Sequence, residues 1–329
     1  MGNYLITGCA GFIGSHLCRK LLWQGHEVIG IDNLNDYYPP EIKEYRLSLL
    51  MEQPRFDYMR VDILKPGTLP NIIDNYHFDT IFHLAAMPGV RLSIEQPQLY
   101  VRNNIQASIS LLEAAVKAGV EKVIMASSSS VYGDWGQPTK GHDLMTSSET
   151  YPTGYPLSPY AMTKRSMELL AYTYHALYGI NITLPRYFTV YGPAGRPDMA
   201  YFKFVRAFMK GESIEVYGDG EQLRDMTYID DVVNATITMD RLQGYNIINV
   251  GSGNPLTLNR MIRIIIDKMG IENPEIIYTD KQAGDVRVTY ACISRAKELL
   301  DWEPEWDIEE GIEKTVEWFK SDYRLTGLE

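Results

Sequence analysis

Short uninterrupted apolar runs alternate with stretches of helical spacing through the first half of the chain. Residues 4–7 are such a run, residues 15–24 carry apolar side chains at helical spacing and stop at Gly25, and residues 28–32 are apolar again. This order predicts a strand, a helix and a second strand. Runs over residues 56–62, 80–86, 122–127 and 181–187 predict further strands, those over 56–62 and 80–86 as buried ones. Helical spacing returns over residues 100–118, closed by Gly119, and over residues 160–178, introduced by Pro159. Residues 36–51 are a polar, Tyr-rich insertion leading into a helix. Residues 134–155 are rich in Gly, Pro and Ser and predict a surface excursion or lid.

Strands alternating with helices up to about residue 184 predict an α/β fold built on a doubly wound parallel sheet. Beyond that point the spacing loosens: a loop at 192–199, a helix at 201–210, a strand at 214–217, a helix at 230–242, a strand at 246–250 and a helix at 258–269. Two domains are expected. One spans residues 1–184 and also receives segments near 226–252. The other, a smaller mixed α/β unit over residues 185–329, covers the carboxyl edge of the sheet, where open α/β folds bind ligands.

The first strand runs into Gly8-Cys-Ala-Gly11-Phe-Ile-Gly14, and the second ends on Asp32. Glycines at such a turn let the backbone approach a pyrophosphate, and the following helix offers N–H groups and the positive end of its dipole. A plain tight turn would use the same glycines. The carboxylate at Asp32 adds what a turn does not need: an acceptor for the adenosine ribose hydroxyls that repels a 2′-phosphate. The expected cofactor is NAD rather than NADP.

The formal net charge of −11 gives no basic footprint for nucleic acid or an anionic membrane. An anionic ligand would need a local cluster of Arg side chains or backbone N–H groups. Cys9, Cys18 and Cys292 are scattered, and the His residues show no metal-ligand spacing, so a reducing compartment without a metal site is expected. No leader pattern opens the sequence and no run reaches the length of a membrane span, which points to the cytoplasm.

Tyr160 and Lys164 stand four apart on a predicted helix and so share a face. An ammonium held near a phenol favours the phenolate and makes it a usable general base. A solvated helical face would explain the pair equally well on its own. Its weight comes from the glycine turn and from the serine run Ser127-Ser-Ser-Ser130 that ends a predicted strand. His83 reads as a packed residue at the end of a strand, and Phe188 as either core or a neighbour of the nicotinamide.

These pieces together resemble the extended short-chain dehydrogenase/reductase superfamily, specifically its nucleotide-sugar epimerases and dehydratases. The matching stretches are Thr7-Gly-Cys-Ala-Gly-Phe-Ile-Gly-Ser-His16, His83-Leu-Ala-Ala86, Ser127-Ser-Ser-Ser-Val-Tyr-Gly133, Tyr160-Ala-Met-Thr-Lys164, Pro185-Arg-Tyr-Phe-Thr189 and Arg224-Asp-Met-Thr-Tyr-Ile-Asp-Asp231. Within that superfamily, Asp32-Asn-Leu-Asn-Asp-Tyr-Tyr38, Met87-Pro-Gly-Val-Arg91 and Thr189-Val-Tyr-Gly-Pro-Ala-Gly-Arg-Pro-Asp-Met199 resemble the UDP-glucuronate 4-epimerases.

The resemblance implies Tyr160 as general base, Lys164 as the residue tuning it, and Ser128 as a hydrogen-bond partner of the reacting hydroxyl. It implies NAD contacts from Gly8, Gly11, Phe12, Ile13, Gly14, Asp32 and Asn33. Asp62, Ile63, Leu84, Ala85, Ala86, Asn103, Ser127 and Tyr187 complete that set with Tyr160 and Lys164. For the UDP-sugar it implies Pro88, Arg91, Ser128, Ser129, Ser130, Tyr160, Thr189, Arg196, Arg224 and Asp285. Gln282 stands where some relatives have Arg, and Arg287 is the nearest substitute. The implied reaction is 4-epimerisation of UDP-glucuronate to UDP-galacturonate through a transient 4-keto sugar, with no net redox change. A homodimer through helices near residues 100–118 and 160–178 is also implied.

Dehydratases and UDP-glucuronate decarboxylases of the superfamily usually place an acidic residue two before the Tyr of the Val-Tyr-Gly motif, where this chain has Ser130. A hydroxyl cannot act as a carboxylate acid or base, which argues against both reactions. A 4-keto uronate also carries its carboxylate beta to a ketone and is prone to losing CO₂. Ser129, Ser130, Thr189 and Arg196 are the candidates for clamping that carboxylate, since planar Arg suits it. A loop salt bridge is the plainer role for Arg196. The alternatives are a neutral UDP-hexose 4-epimerase, then a decarboxylase or dehydratase, and last a non-catalytic NAD-binding regulator. The long interval between Ser128 and Tyr160, filled by residues 134–155, departs from a typical 4-epimerase.

Overall fold

The computed structural model describes residues 1–134, 145–280 and 286–328. Its strands are, in chain order, β1 (Asn3–Thr7), β2 (Glu27–Asp32), β3 (Phe56–Arg60), β4 (Thr80–His83), β5 (Lys122–Met125), β6 (Ser127–Ser128) and β7 (Asn181–Tyr187). There follow β8 (Thr189–Tyr191), β9 (Ile214–Tyr217), β10 (Leu223–Arg224), β11 (Met226–Tyr228), β12 (Tyr245–Val250), β13 (Leu256–Thr257) and β14 (Ile276–Thr279). The main sheet has the order β3-β2-β1-β4-β5-β7-β12, with β6 joined to β7. Its pairings are all parallel. The fold is the expected α/β class with a doubly wound parallel sheet. Its order reverses between β1 and β4, which opens a crevice at the carboxyl ends of those strands.

Alternate residues of each strand feed opposite layers, as a period of two requires. In β1, Tyr4 and Ile6 pack with Leu17 and Leu21 of the helix Phe12–Trp23 and with Val232 of the helix Ile229–Thr238. Leu5 packs on the other side with Leu111 of the helix Ala107–Lys117 and Met167 of the helix Pro159–Tyr178. The register places Thr7 beside Ile31 and His83, His83 beside Met125, Ser128 beside Tyr187, and Tyr187 beside Val250. Every chemically suggestive strand end therefore comes to one edge.

The later part of the chain builds three two-stranded pairs, β8 with β11, β9 with β14 and β10 with β13. The helices Ala200–Met209 and Ile308–Ser321 close over them through Phe202, Trp318 and Phe319, the Phe202 and Phe319 rings lying 4.7 Å apart. β12 returns to the main sheet beside β7, and a cut after residue 184 falls inside β7. The last helix packs apolar positions from Ile312 to Phe319, a segment whose spacing gave no separate signal in the sequence reading.

The single helix expected over residues 100–118 is interrupted. Two short helices, Val90–Glu95 and Pro97–Tyr100, lead into a π-helical stretch, Val101–Gln106, before regular turns resume. Asn104 accounts for the wider turn. Its buried amide accepts from the Met87 N–H at 2.8 Å and donates to the Met87 carbonyl and the Thr163 hydroxyl, both at 3.0 Å. The strand expected to run to residue 86 stops at His83, so Leu84, Ala85 and Ala86 enter the crevice as loop.

A buried carboxylate joins the helix Pro159–Tyr178 to the sheet. Glu168 accepts from Arg186 Nε and Nη2, both at 2.8 Å, from Ser127 Oγ at 2.6 Å and from Arg165 at 2.9 Å. Burial raises its pKa, but hydrogen bonds from Arg186, the Arg186 charge, Ser127 and Arg165 outweigh that and hold it below the ordinary 4.5. A carboxyl depressed in this way contributes its full stability above its unfolded pKa and loses it as pH falls through the folded value. Glu168→Ala, which leaves Arg186 buried without a counter-charge, is expected to cost about 3–5 kcal/mol. Urea unfolding of Glu168→Gln and wild type should converge as pH falls from about 7 to about 3; curves that stay parallel would exclude the linkage.

A candidate active site at the carboxyl edge of the sheet

One cavity of about 880 Å³ runs along this edge, from the glycine turn to β9 and β10. Every residue named above for cofactor or substrate lines it except Arg287, which is not part of the lining, and Asp285, which lies outside the described residues together with Gln282. Residues 135–144 of the long loop also lie outside them.

The glycine turn is shaped by backbone contact. Gly8 adopts φ +76°, in the left-handed region, and a Cβ on it would sit 2.7 Å from the Ala85 nitrogen. A Cβ on Gly14 would overlap the Gly8 carbonyl oxygen. No side chain caps the helix that starts after Gly11, so its first N–H groups are left for a ligand in the cavity. Asp32, at the end of β2, accepts from the N–H of Leu34 at 2.8 Å and of Ala10 at 3.2 Å. An uncapped helix start, glycines packed to backbone contact and a fixed carboxylate at the next strand end fit a dinucleotide. Arg46, buried and missed in the sequence reading, ties this turn to the far wall. It donates to the carbonyls of Ala10 (3.2 Å), Ala194 (2.8 Å) and Gly195 (2.7 Å), and to the Tyr38 hydroxyl (2.9 Å). Its helix has little apolar periodicity, so only the tertiary contacts reveal it.

Tyr160 and Ser128 meet deeper in the cavity. Burial raises the Tyr160 phenol above 10.0, opposed first by a hydrogen bond with Ser128 and then by the charge of Arg196. Lys164 was expected to be the tuning charge. Its ammonium donates to the Ala126 carbonyl at 2.6 Å, and burial lowers its pKa to about 8 against the pull of Glu168. Ser128 and Arg196 favour the phenolate. The Tyr100 ring, fully buried, stands edge-on to Tyr160 with centroids 6.2 Å apart and fixes its position.

The serines divide their work. Ser128 Oγ accepts from the Ser130 N–H at 3.2 Å, whereas Ser127 turns its hydroxyl to Glu168. Tyr187 likewise turns its hydroxyl away, to Thr236 at 2.8 Å. His83 is packed between Thr7 (2.8 Å) and Ser108 (3.2 Å), and burial pushes its pKa to about 3, so it stays neutral. Phe188 is core that also touches the cavity, against Tyr132.

At the other end Arg91 lies over the Tyr217 ring at 4.8 Å, and Arg224 donates to the Leu223 carbonyl at 2.9 Å. Arg196 pairs side-on with Asp198, Nε to Oδ1 at 3.0 Å and Nη2 to Oδ2. The loop ion pair considered for Arg196 is thus present, and its charge also acts on Tyr160. Among the described residues no group of His, Cys, Asp and Glu could hold a metal.

A family model described as the NAD dependent epimerase/dehydratase family matches residues 4–251. The chain is 45% identical over 326 residues to the UDP-glucuronate 4-epimerase of Thermodesulfobacterium geofontis, covering 99% of this chain and 98% of that one. The structure of the UDP-glucuronic acid 4-epimerase from Bacillus cereus in complex with UDP-glucuronic acid and NAD superposes with a TM-score of 0.89 at 35% identity, over 97% of this chain and 99% of that one. A UDP-glucose 4-epimerase from Thermotoga maritima with UDP-glucose gives 0.87 at 32%, over 98% and 99%.

The overlap at Gly14 gives a direct test. Gly14→Ala should force the turn open, cost about 1–3 kcal/mol, and cut the dinucleotide that co-purifies, measured by chromatography of the denatured protein. Full retention of the dinucleotide would rule out the turn as its cradle.

Proposed function

This chain belongs to the NAD-dependent epimerase/dehydratase family, and on that premise we propose that it interconverts UDP-glucuronate and UDP-galacturonate on a retained NAD. The observation that carries this is one cavity holding a dinucleotide cradle, a Tyr160–Ser128 pair and an arginine whose charge reaches the phenol. The identity to a UDP-glucuronate 4-epimerase over nearly the whole chain supports it.

Tyr160 takes the proton of the sugar 4-hydroxyl, and Ser128 holds the oxygen between them. NAD⁺, when bound in the cradle, would supply reversible hydride chemistry at C4, so that the epimerisation leaves no net oxidation. Tyr160 then gives its proton back. Lys164, anchored on the Ala126 carbonyl, presents its remaining N–H bonds to the cofactor ribose, and Asp32 receives the adenosine ribose. Arg91 and Arg224 hold the diphosphate. Ser129, Ser130, Thr189 and Arg196 hold the uronate carboxylate so that its C–C bond cannot align with the ketone π system.

Residues 1–187 with β12 form the cofactor unit, and the segments between and after them form the sugar-nucleotide unit. The assembly is a homodimer, supported by Leu169, Tyr172, Leu177 and Tyr178, which leave large apolar surfaces exposed on or beside one helix. No helix among the described residues is long and apolar enough to cross a membrane, and the three cysteines are free, which supports a cytoplasmic setting.

One observation favours a second reading, 4-epimerisation of a neutral UDP-hexose: Arg196 already has a counter-charge in Asp198. Proton NMR of UDP-glucuronate with purified protein and no added cofactor separates the readings. UDP-galacturonate should appear at constant total sugar nucleotide. UDP-pentose with CO₂ would mean decarboxylation, and turnover of UDP-glucose alone would establish the neutral substrate. Tyr160→Phe should lower turnover about a thousandfold. Because the base works deprotonated and burial raises its pKa, kcat/KM should fall as pH drops from about 8 to about 6. A flat profile would remove Tyr160 as the base.

A further inference from the structure

The three segments that most resemble UDP-glucuronate 4-epimerases, residues 32–38, 87–91 and 189–199, converge on one side chain. Tyr37 donates its hydroxyl to Asp198 Oδ2 at 3.2 Å, and the Arg196 guanidinium lies 5.9 Å from the centre of its ring. The segment 87–91 makes room for that hydroxyl. Gly89 adopts φ +90°, and a Cβ there would overlap the Tyr37 oxygen. All four residues line the cavity.

Asp198 uses the Nε and Nη2 side of the guanidinium. Among the described residues Nη1 has no protein hydrogen-bond partner, so the Nη1–Nη2 fork is the one left for a ligand. Such a fork matches a carboxylate only when its plane and direction are set. An arginine on a loop does not set them itself, because its side chain has several freely rotating bonds. The side-on ion pair removes that freedom, and Tyr37 fixes the carboxylate that makes it. The same carboxylate offsets the arginine's charge, so the fork rewards an anion placed in line with it and gives little to one placed elsewhere.

We propose that Asp198, braced by Tyr37 in the space left by Gly89, is the positioning residue that aims Arg196 at the sugar carboxylate. The apparent neutralisation of Arg196 is then part of uronate recognition and not an argument for a neutral sugar. This rests on the reading of the chain as a uronate 4-epimerase.

The test uses the purified holoenzyme and compares Tyr37→Phe, Asp198→Ala, Asp198→Glu, Arg196→Ala and the Arg196→Ala/Asp198→Ala double variant. Calorimetry gives Kd for UDP-glucuronate and UDP-glucose, and NMR gives kcat and KM for UDP-glucuronate. Asp198→Ala should weaken UDP-glucuronate about tenfold while UDP-glucose changes less than about twofold; Tyr37→Phe should show the same preference loss at about three- to fivefold. Asp198→Glu should restore part of the preference. In the Arg196→Ala background, Asp198→Ala should remove no further preference, because both act through one guanidinium. Equal weakening of both ligands, or effects that add fully, would show a merely structural loop contact and overturn the proposal. If wild type turns over UDP-glucuronate and Asp198→Ala keeps its preference, this inference alone fails. If wild type neither binds nor turns over UDP-glucuronate, the functional reading fails with it.

Discussion

Glu168 is the group on which the active-site geometry depends. Tyr160, Lys164 and Glu168 follow one another at helical spacing of four, so they form a stripe on one face of one helix. The last of the three is bonded to Ser127 and Arg186, on β6 and β7. Ser127 is the neighbour of Ser128, and Arg186 the neighbour of Tyr187. The distance between phenol and serine hydroxyl is therefore set by an ion pair buried on the far side of Lys164. Taking a carboxylate and a guanidinium out of water is costly, and well-packed apolar side chains would stabilise such a place at least as well. What they would lack is direction. Three directed hydrogen bonds from the strands, one from Ser127 and two from Arg186, fix both the height and the rotation of the helix against them.

A second polar tie works at the cofactor end. Arg46 spans from the Ala10 carbonyl in the glycine turn to the carbonyls of Ala194 and Gly195, just before Arg196. The turn that would carry a pyrophosphate and the loop that carries the sugar-facing arginine are thus held by one side chain. Tyr37, in the loop after β2, adds a second tie to the arginine loop through Asp198. Opposite sides of the cavity are thereby bonded to each other.

The centre of the sheet was legible in the sequence because its parallel strands are covered on both faces and so largely apolar. Edge strand β3, read as buried, leaves Asp57 and Arg60 exposed. The glycine turn was legible because Gly8 and Gly14 tolerate no side chain. Tyr160 and Lys164 stood out by their spacing taken together with the glycine turn and the serine run. What spacing could not reveal was the target of each polar tip. Lys164 turns to a carbonyl, Ser127 to Glu168, and Tyr187 to Thr236, and each of those partners lies on a different element. The π-helical stretch was hidden for the same reason, since Asn104 widens the helix to reach Met87, a residue on another segment. Arg46 and Asp198 gain their partners only when the fold brings carbonyls and a guanidinium to them.

The return of β12 to the edge of the main sheet bears on how the protein is made. Its partner β7 ends at Tyr187, and the first of the crevice-covering segments, from β8 to the helix Ile229–Thr238, intervene before Tyr245. A nascent chain leaving the ribosome with β7 complete still has one edge of its sheet unpaired, exposing the open backbone groups that invite association with other chains. Those groups are satisfied only after these segments have been synthesised. Loop closure over that separation is slow compared with the pairing of β1 and β2. The cofactor half thus depends on the other half for the completion of its own sheet, and the two mature together.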